Sequence, residues 1–186
     1  MPEIDSLYHK RDGKVLIEIN LTSINQLFNS LDPAPFHEKE LDQAAEEYII
    51  DTINDLPRNT EFSIVIHAPL DCIEKGECPM IPNAIRNHFR YRALSEERHF
   101  RQRFRYGRLN LVVALVFLAA TLIVRNQIQQ FGDGLVIYFL AEVFTIAGWV
   151  ALWAPVTLLL YELYPIIQNK NLYERISRME IELLPK

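Results

Sequence analysis

Residues 98–124 read RHFRQRFRYGRLNLVVALVFLAATLIV. Arg98, Arg101, Arg103, Arg105 and Arg108 crowd the first part, and no charged side chain follows until Arg125. Lys and Arg concentrate on the cytoplasmic flank of a first membrane helix, within about 15–20 residues of its end. There they also meet anionic lipid headgroups, which attract each basic residue by roughly 1 kcal/mol near the surface. The stretch therefore predicts a membrane-surface contact at the five arginines and a membrane helix starting at Leu109.

Working outward, charge divides the chain into three. Residues 1–82 hold 6 Lys/Arg against 16 Asp/Glu, residues 83–108 hold 8 against 2, and residues 109–186 hold 5 against 6. An acidic head of net −10 is joined by a basic neck of net +6 to a near-neutral apolar end. The overall charge of −5 is a poor match for nucleic acid, and no such partner is expected. No apolar h-region precedes Lys14, so no cleavable signal peptide is predicted and the head stays on the side of synthesis. Cys72 and Cys78 then read as reduced loop thiols, too few for a closed zinc site.

The head reads as β-α-β. KVLIEINL (14–21) places Val15, Ile17, Ile19 and Leu21 on one side, which is a half-buried strand. NQLFNSLDPAPF (25–36) carries two prolines and is a loop with one helical turn, whose Phe28, Leu31 and Phe36 should pack down on the domain. From about residue 38 to 56, Leu41, Ala45, Tyr48, Ile49, Thr52, Ile53 and Leu56 recur at helical spacing, with His37 and Asp42 as competing N-caps. EFSIVIH (61–67) is a second, buried strand, and strand–helix–strand implies parallel pairing. Two strands make no stable sheet in water. RMEIEL (178–183) alternates Met179, Ile181 and Leu183 with charge, so the C-terminal tail (165–186) offers a third strand; pairing between subunits is the alternative.

Residues 83–108 read as one long helix with Ile85, Phe89, Ala93, Phe100 and Phe104 on one stripe. The hairpin (109–164) follows, its helices at 109–124 and about 135–160, with a turn over 125–134 built on Phe-Gly-Asp-Gly. The first apolar run is about 24 Å long as a helix, short against a hydrocarbon thickness of about 30 Å. The second, from Leu135 to Tyr164, is about 45 Å and too long, with Pro155 as its natural break. One Arg in the loop against eight in the neck predicts both termini in the cytoplasm. Ala141, Thr145, Gly148 and Ala151 would allow close approach to Ala114, Ala119 or another subunit. Trp149, Trp153, Tyr161 and Tyr164 suit an interfacial aromatic belt. The fold class is thus α+β: a small head, a basic helix and a two-helix transmembrane hairpin.

QLFNSLDPAPFHEKELDQAAEEYI (26–49), RFRYGR (103–108), the two apolar segments, GWVALWAP (148–155) and YERISRMEIEL (173–183) together resemble a family of small uncharacterised bacterial two-helix inner-membrane proteins. The similarity runs from about Val15 to Leu183, and FNSLDPAPF and GWVALW are its most specific parts. It implies a bacterial inner-membrane, multi-pass protein with a cytoplasmic head, and supplies no activity and no catalytic residues. The family pattern has an arginine between the tryptophan and the proline, where this chain has Ala154.

Few residues suggest chemistry. Glu142 is a carboxylate in an apolar helix, a functional candidate by default, although Arg125 or Asn126 could simply satisfy it. The acidic run His37, Glu38, Glu40, Asp42, Glu46, Glu47 complements a helix N-terminus; a metal site would need His67 and Asp71 to converge on it, and none is expected. Asp32 reads as turn chemistry in a motif shared with the family. No phosphate-binding glycine loop, nucleophile elbow, HExxH or dinucleotide fingerprint occurs, so no cofactor is implied. The leading expectation is a membrane-anchored interaction or regulatory module that docks a protein partner, or a second copy, through Phe28, Leu31, Asp32 and Phe36. An oligomeric transport or ion-handling component using Glu142 is the alternative, and an enzyme using His37, His67 and nearby carboxylates the third.

Overall fold

The computed structural model describes residues 8–33, 39–57, 60–69, 78–132 and 134–186. It is an α+β fold containing a four-stranded sheet in the order β1-β2-β3-β4. The strands are β1 (Lys10–Arg11), β2 (Lys14–Asn20), β3 (Phe62–Ala68) and β4 (Glu180–Pro185). The helices are α1 (Gln43–Asn54), α2 (Ile81–Gln129), α3 (Leu135–Thr157) and α4 (Leu163–Ser177), with a π-helical turn over Leu158–Glu162 joining the last two. The chain divides into two compact units, one of Met1–Ala93 with Leu172–Lys186 and one of Leu94–Asn171.

In the first unit β2 and β3 pair in parallel, Ile17 opposite Ile64, as strand–helix–strand implies. The C-terminal tail supplies β4, parallel to β3 with Ile181 opposite Ile64. The fourth strand is β1, a two-residue hairpin partner of β2. Asp12 and Gly13 make that turn with φ of 52° and 80°. Two successive positive φ angles are what a two-residue hairpin loop demands, and Asp-Gly is a favoured pair for it.

Alternation sorts the strands into two faces. Val15, Ile17, Ile64, Ile66 and Ile181 belong to one core with Ile49 and Ile53 of α1, Ile81, Ile85 and Phe89 of α2, and Tyr173 and Ile176 of α4. Each fully buried Ile or Phe contributes roughly 1.5–3 kcal/mol. On the other face Arg11 reaches Glu182 at 2.8 Å and Lys14 reaches Glu180 at 2.9 Å, from the β1–β2 hairpin to β4. Such exposed, solvent-screened pairs add little to stability. Their effect is to favour one strand register and to cover Ser63 and Val65, both buried in the strand between.

Asp42 is the α1 N-cap, its carboxylate accepting from Ala44 N–H at 3.0 Å, so the helix begins at Gln43 rather than near residue 38. His37, the competing cap, lies outside the described residues. The returning tail is fastened by Arg175, whose guanidinium sits 4.6 Å over the Phe62 ring and donates to Thr60 O, and by Arg86, which donates to Met179 O at 3.3 Å.

The second unit is a helical hairpin. Gly107, Ala114 and Thr121 on one helix and Ala141, Gly148 and Pro155 on the other are its buried seam, seven residues apart each time. A seven-residue period keeps small side chains on one line along a helix. A Cβ on Gly148 would stand 2.3 Å from Thr121 Oγ1 and 2.7 Å from Leu118 Cδ1. One on Gly107 would stand 2.6 Å from Leu158 Cδ2. Close approach therefore holds position 148 to glycine, whereas the atoms facing Gly107 are the flexible ends of leucine side chains. Ala119 is exposed, and Thr145 and Ala151 are half-buried, so the seam uses Ala114, Ala141 and Gly148 of the small residues singled out above.

Both length anomalies of the sequence disappear in this register. Helix α2 passes through Arg125 and ends at Gln129, because polar side chains do not stop a helix. Gly132, with φ of 138°, then leads out of it. The second helix has only 23 residues before its π turn, about 34 Å, and the contact of Gly107 with Leu158 puts that turn level with the arginines. Proline lacks an N–H, so Pro155 frees the Ala151 carbonyl, and the backbone rewinds as a π turn before continuing to Ser177. Among the described residues two helices, Ile81–Gln129 and Leu135–Ser177, are long and apolar enough to cross a membrane.

Candidate functional site

The arginine-rich part of α2 lies opposite the π turn. Arg103 donates to Glu162 at 2.7 Å, Arg101 pairs with Glu97, and Lys170 lies 3.5 Å from the same Glu97. Arg98, Arg101, Arg103, Arg105 and Arg108 are not buried. Among the described residues neither Arg105 nor Arg108 has an acidic partner.

A lateral groove of about 1390 Å³ opens here. Its polar part is formed by His99, Arg105, Tyr106 and Arg108, with the Arg103–Glu162 pair beside them. Leu109, Val112, Leu158 and Ile166 make the apolar remainder. The change from one to the other falls at the sequence boundary between Arg108 and Leu109. The arginines carry fixed positive charge, and a guanidinium presents a planar fork suited to phosphate or carboxylate oxygens.

The described start of the turn sequence, Phe28 to Asp32, is tied to Glu40 and Leu41. Phe28 bridges Leu41, Asn29 N–H donates to Glu40 O at 2.9 Å, and Asp32 Oδ2 accepts from Glu40 N–H at 2.8 Å. Phe28 is 3% exposed and belongs to the core, so of the loop residues it has no surface to dock with. Leu31, expected to pack down, is instead 88% exposed at the tip. Asp32 acts as the loop's latch. Phe36 lies outside the described residues, as do His37, Glu38, Asp71 and Cys72.

A second polar cluster joins α1 to α2 beneath that loop, bringing Glu46 of the acidic run to His88 and Arg92, which the sequence did not single out. His88 is buried; its Nδ1 accepts from Leu41 N–H at 3.2 Å, which leaves the proton on Nε2, 3.2 Å from Glu46. Arg92 Nε donates to the same carboxylate at 2.7 Å, and its guanidinium lies 5.6 Å from the Tyr173 ring centre. Burial pushes the Glu46 carboxyl up, but its hydrogen bond to His88 and the hydrogen bond and charge of Arg92 outweigh that and hold it below the usual carboxylate value. Every polar atom named here has a partner, so the cluster ties three segments together and offers no free acid or base.

Glu142 is 3.4 Å from Arg125 Nη2, and both are half-buried across the hairpin seam. Arg125 is thus a partner within reach of this carboxylate, one of the contacts the sequence offered it. His67 points to the outer sheet face, in register with Asn20 and Leu184, whereas His88 packs with α1 on the inner side. Among the described residues no group of three His, Cys, Asp or Glu side chains could hold a metal ion. No family model, curated protein or solved structure matches the chain.

Proposed function

We propose that the protein is a membrane-anchored interaction module of a bacterial inner membrane, with its α/β head, its basic neck and both termini on the cytoplasmic side. The observation that carries this reading is the parallel pairing of β4 with β3. The hairpin lies between those strands in sequence, so both of its ends return to one sheet and must lie on one side of any bilayer it crosses.

Further support comes from charge and length. The arginines cluster where the ends meet, matching the preference of basic residues for the cytoplasmic flank. From Leu109 to Gln129 and from Leu135 to Thr157 the helices are about 31 and 34 Å long, close to the hydrocarbon thickness of about 30 Å. Trp153, Tyr161 and Tyr164 are exposed around the Thr157 end of that length, as an aromatic belt would be, while Trp149 lies further into the span. The head then works by contact: the latched loop presents Leu31 to a protein partner, and the cross-linked neighbours of a photoreactive residue at 31 would identify it.

The topology is tested in a cysteine-free background by single cysteines at Phe131 and Lys10. In intact spheroplasts an impermeant maleimide should label position 131 and leave position 10 unlabelled until lysis. The reverse pattern, or release of the chain by carbonate washing, refutes the reading. A transport role for Glu142 would instead require liposome flux that Glu142→Gln abolishes; the Arg125 pair offers that carboxylate a structural task.

A further inference from the structure

We propose that the groove at the arginine–apolar boundary is a binding site for one anionic phospholipid. Its phosphate would engage Arg105 and Arg108, and the first part of its acyl chains would lie along Leu109, Val112 and Leu158. The inference deepens the membrane reading above and rests on it, but it claims more than general attraction between a basic neck and a charged surface. It assigns a stoichiometric site to particular side chains.

Three observations select this occupant. The groove's volume of about 1390 Å³ exceeds the roughly 300–1,000 Å³ usual for small-molecule pockets, which suits an elongated ligand. Its lining changes from cationic to aliphatic along its length, at the level where Gly107 meets Leu158 on the facing helix. A nucleotide or sugar phosphate would set polar groups against that aliphatic half, whereas a phospholipid matches both halves. The charge is also selectively available. Glu162 is committed to Arg103, while Arg105 and Arg108 have no acidic partner among the described residues and can each form charge-assisted hydrogen bonds to phosphate oxygens. Tyr106, a residue 60% exposed, adds a hydroxyl at headgroup depth.

The pairing of Arg103 with Glu162 gives the site a direction of change. A carboxylate in the groove repels the phosphate, so Glu162→Gln removes the repulsion and frees a third guanidinium. That variant should bind anionic lipid more tightly, an outcome that mere surface attraction to a distant bilayer predicts only weakly.

The test is native mass spectrometry of the full chain released from bilayers of mixed phosphatidylglycerol and phosphatidylcholine. One phosphatidylglycerol should stay bound in preference to phosphatidylcholine. The double variant R105Q/R108Q should reduce the preference about 25-fold, roughly fivefold per arginine. R105K/R108K should retain most of it, and E162Q should raise it. The control R98Q/R101Q removes the same charge from arginines outside the groove and should lower the preference less than R105Q/R108Q does. Equal losses in both double-Gln variants, no preference in the parent chain, or displacement of the lipid by inorganic phosphate alone would each overturn the proposal. A chain that resists carbonate yet shows no lipid preference loses only the lipid site. One that carbonate releases loses the membrane reading itself.

Discussion

Replacing Ile181 by Ala tests whether the tail is a working part of the head. Ile181 is 8% exposed in β4, opposite Ile64 of β3, and it belongs to the shared core. Truncating a buried Ile to Ala removes the transfer energy of the lost carbons and leaves a cavity, together costing about 2–5 kcal/mol. At about 1.4 kcal/mol per tenfold, the lower figure is a roughly 30-fold rise in the population of open sheet. Hydrogen exchange read by mass spectrometry on the full chain in detergent micelles resolves this by segment. Peptides over Phe62–Ala68 should exchange about 30-fold faster or more, with peptides over 109–124 unchanged. Deleting residues 178–186 should expose β3 further, because it removes the strand's hydrogen-bonded neighbour as well as its side chains. Unchanged β3 exchange in both variants would refute the reasoning, since the sheet would then be stable without its fourth member.

Two other perturbations probe the polar cluster and the hairpin. Glu46→Ala leaves the buried His88 Nε2–H without its acceptor, at a cost of about 1–3 kcal/mol, seen as faster exchange over Gln43–Asn54. Because folding depresses the Glu46 pKa, its ionisation stabilises the head fully above pH 4.5 and the benefit fades as pH falls through the lower folded value. Wild type should therefore lose protection in α1 below pH 4.5 more steeply than Glu46→Gln, and parallel profiles would contradict the assignment. In the hairpin, Gly148→Val places a branched side chain where even a Cβ lies 2.3 Å from Thr121 Oγ1. Overpacking of this kind costs about 1–3 kcal/mol, so exchange over Leu135–Thr157 should rise about fivefold or more while β3 keeps its protection. Gly148→Val with parent-like exchange in that helix would mean that the two helices do not meet at this seam.

Much of this architecture is legible in the sequence because periodicity reports which side of an element faces the core. The alternation of Val15, Ile17 and Ile19 and of Met179, Ile181 and Leu183 leads to β2 and to β4, and the charge step at Arg108 leads to the neck. The β1 hairpin escapes that reading, since a two-residue strand has no period, although Asp12-Gly13 is a strong local turn signal. The Glu46–His88–Arg92 cluster is hidden for a different reason. His88 and Arg92 sit in a stretch whose composition reads as lipid-facing neck, and their partner lies more than forty positions earlier on another helix. Only tertiary packing joins them. Phe28 and Leu31 defeat pattern reading in the same way, since two apolar residues three apart in an irregular loop carry no period that tells core from tip.

The pairing of β3 with β4 also dictates an order of manufacture. Translation at about 5–20 residues per second delivers β3 several seconds or more before β4, which follows it only after both long helices have been made. In that interval the edge of β3 stands open, and an open edge is a template for unwanted pairing. Closing so long a flexible loop would cost about 4 kcal/mol, but a formed hairpin already holds its two ends together and removes most of that cost. The head is thus completed last, and the closed sheet becomes a physical receipt that the hairpin behind it has assembled.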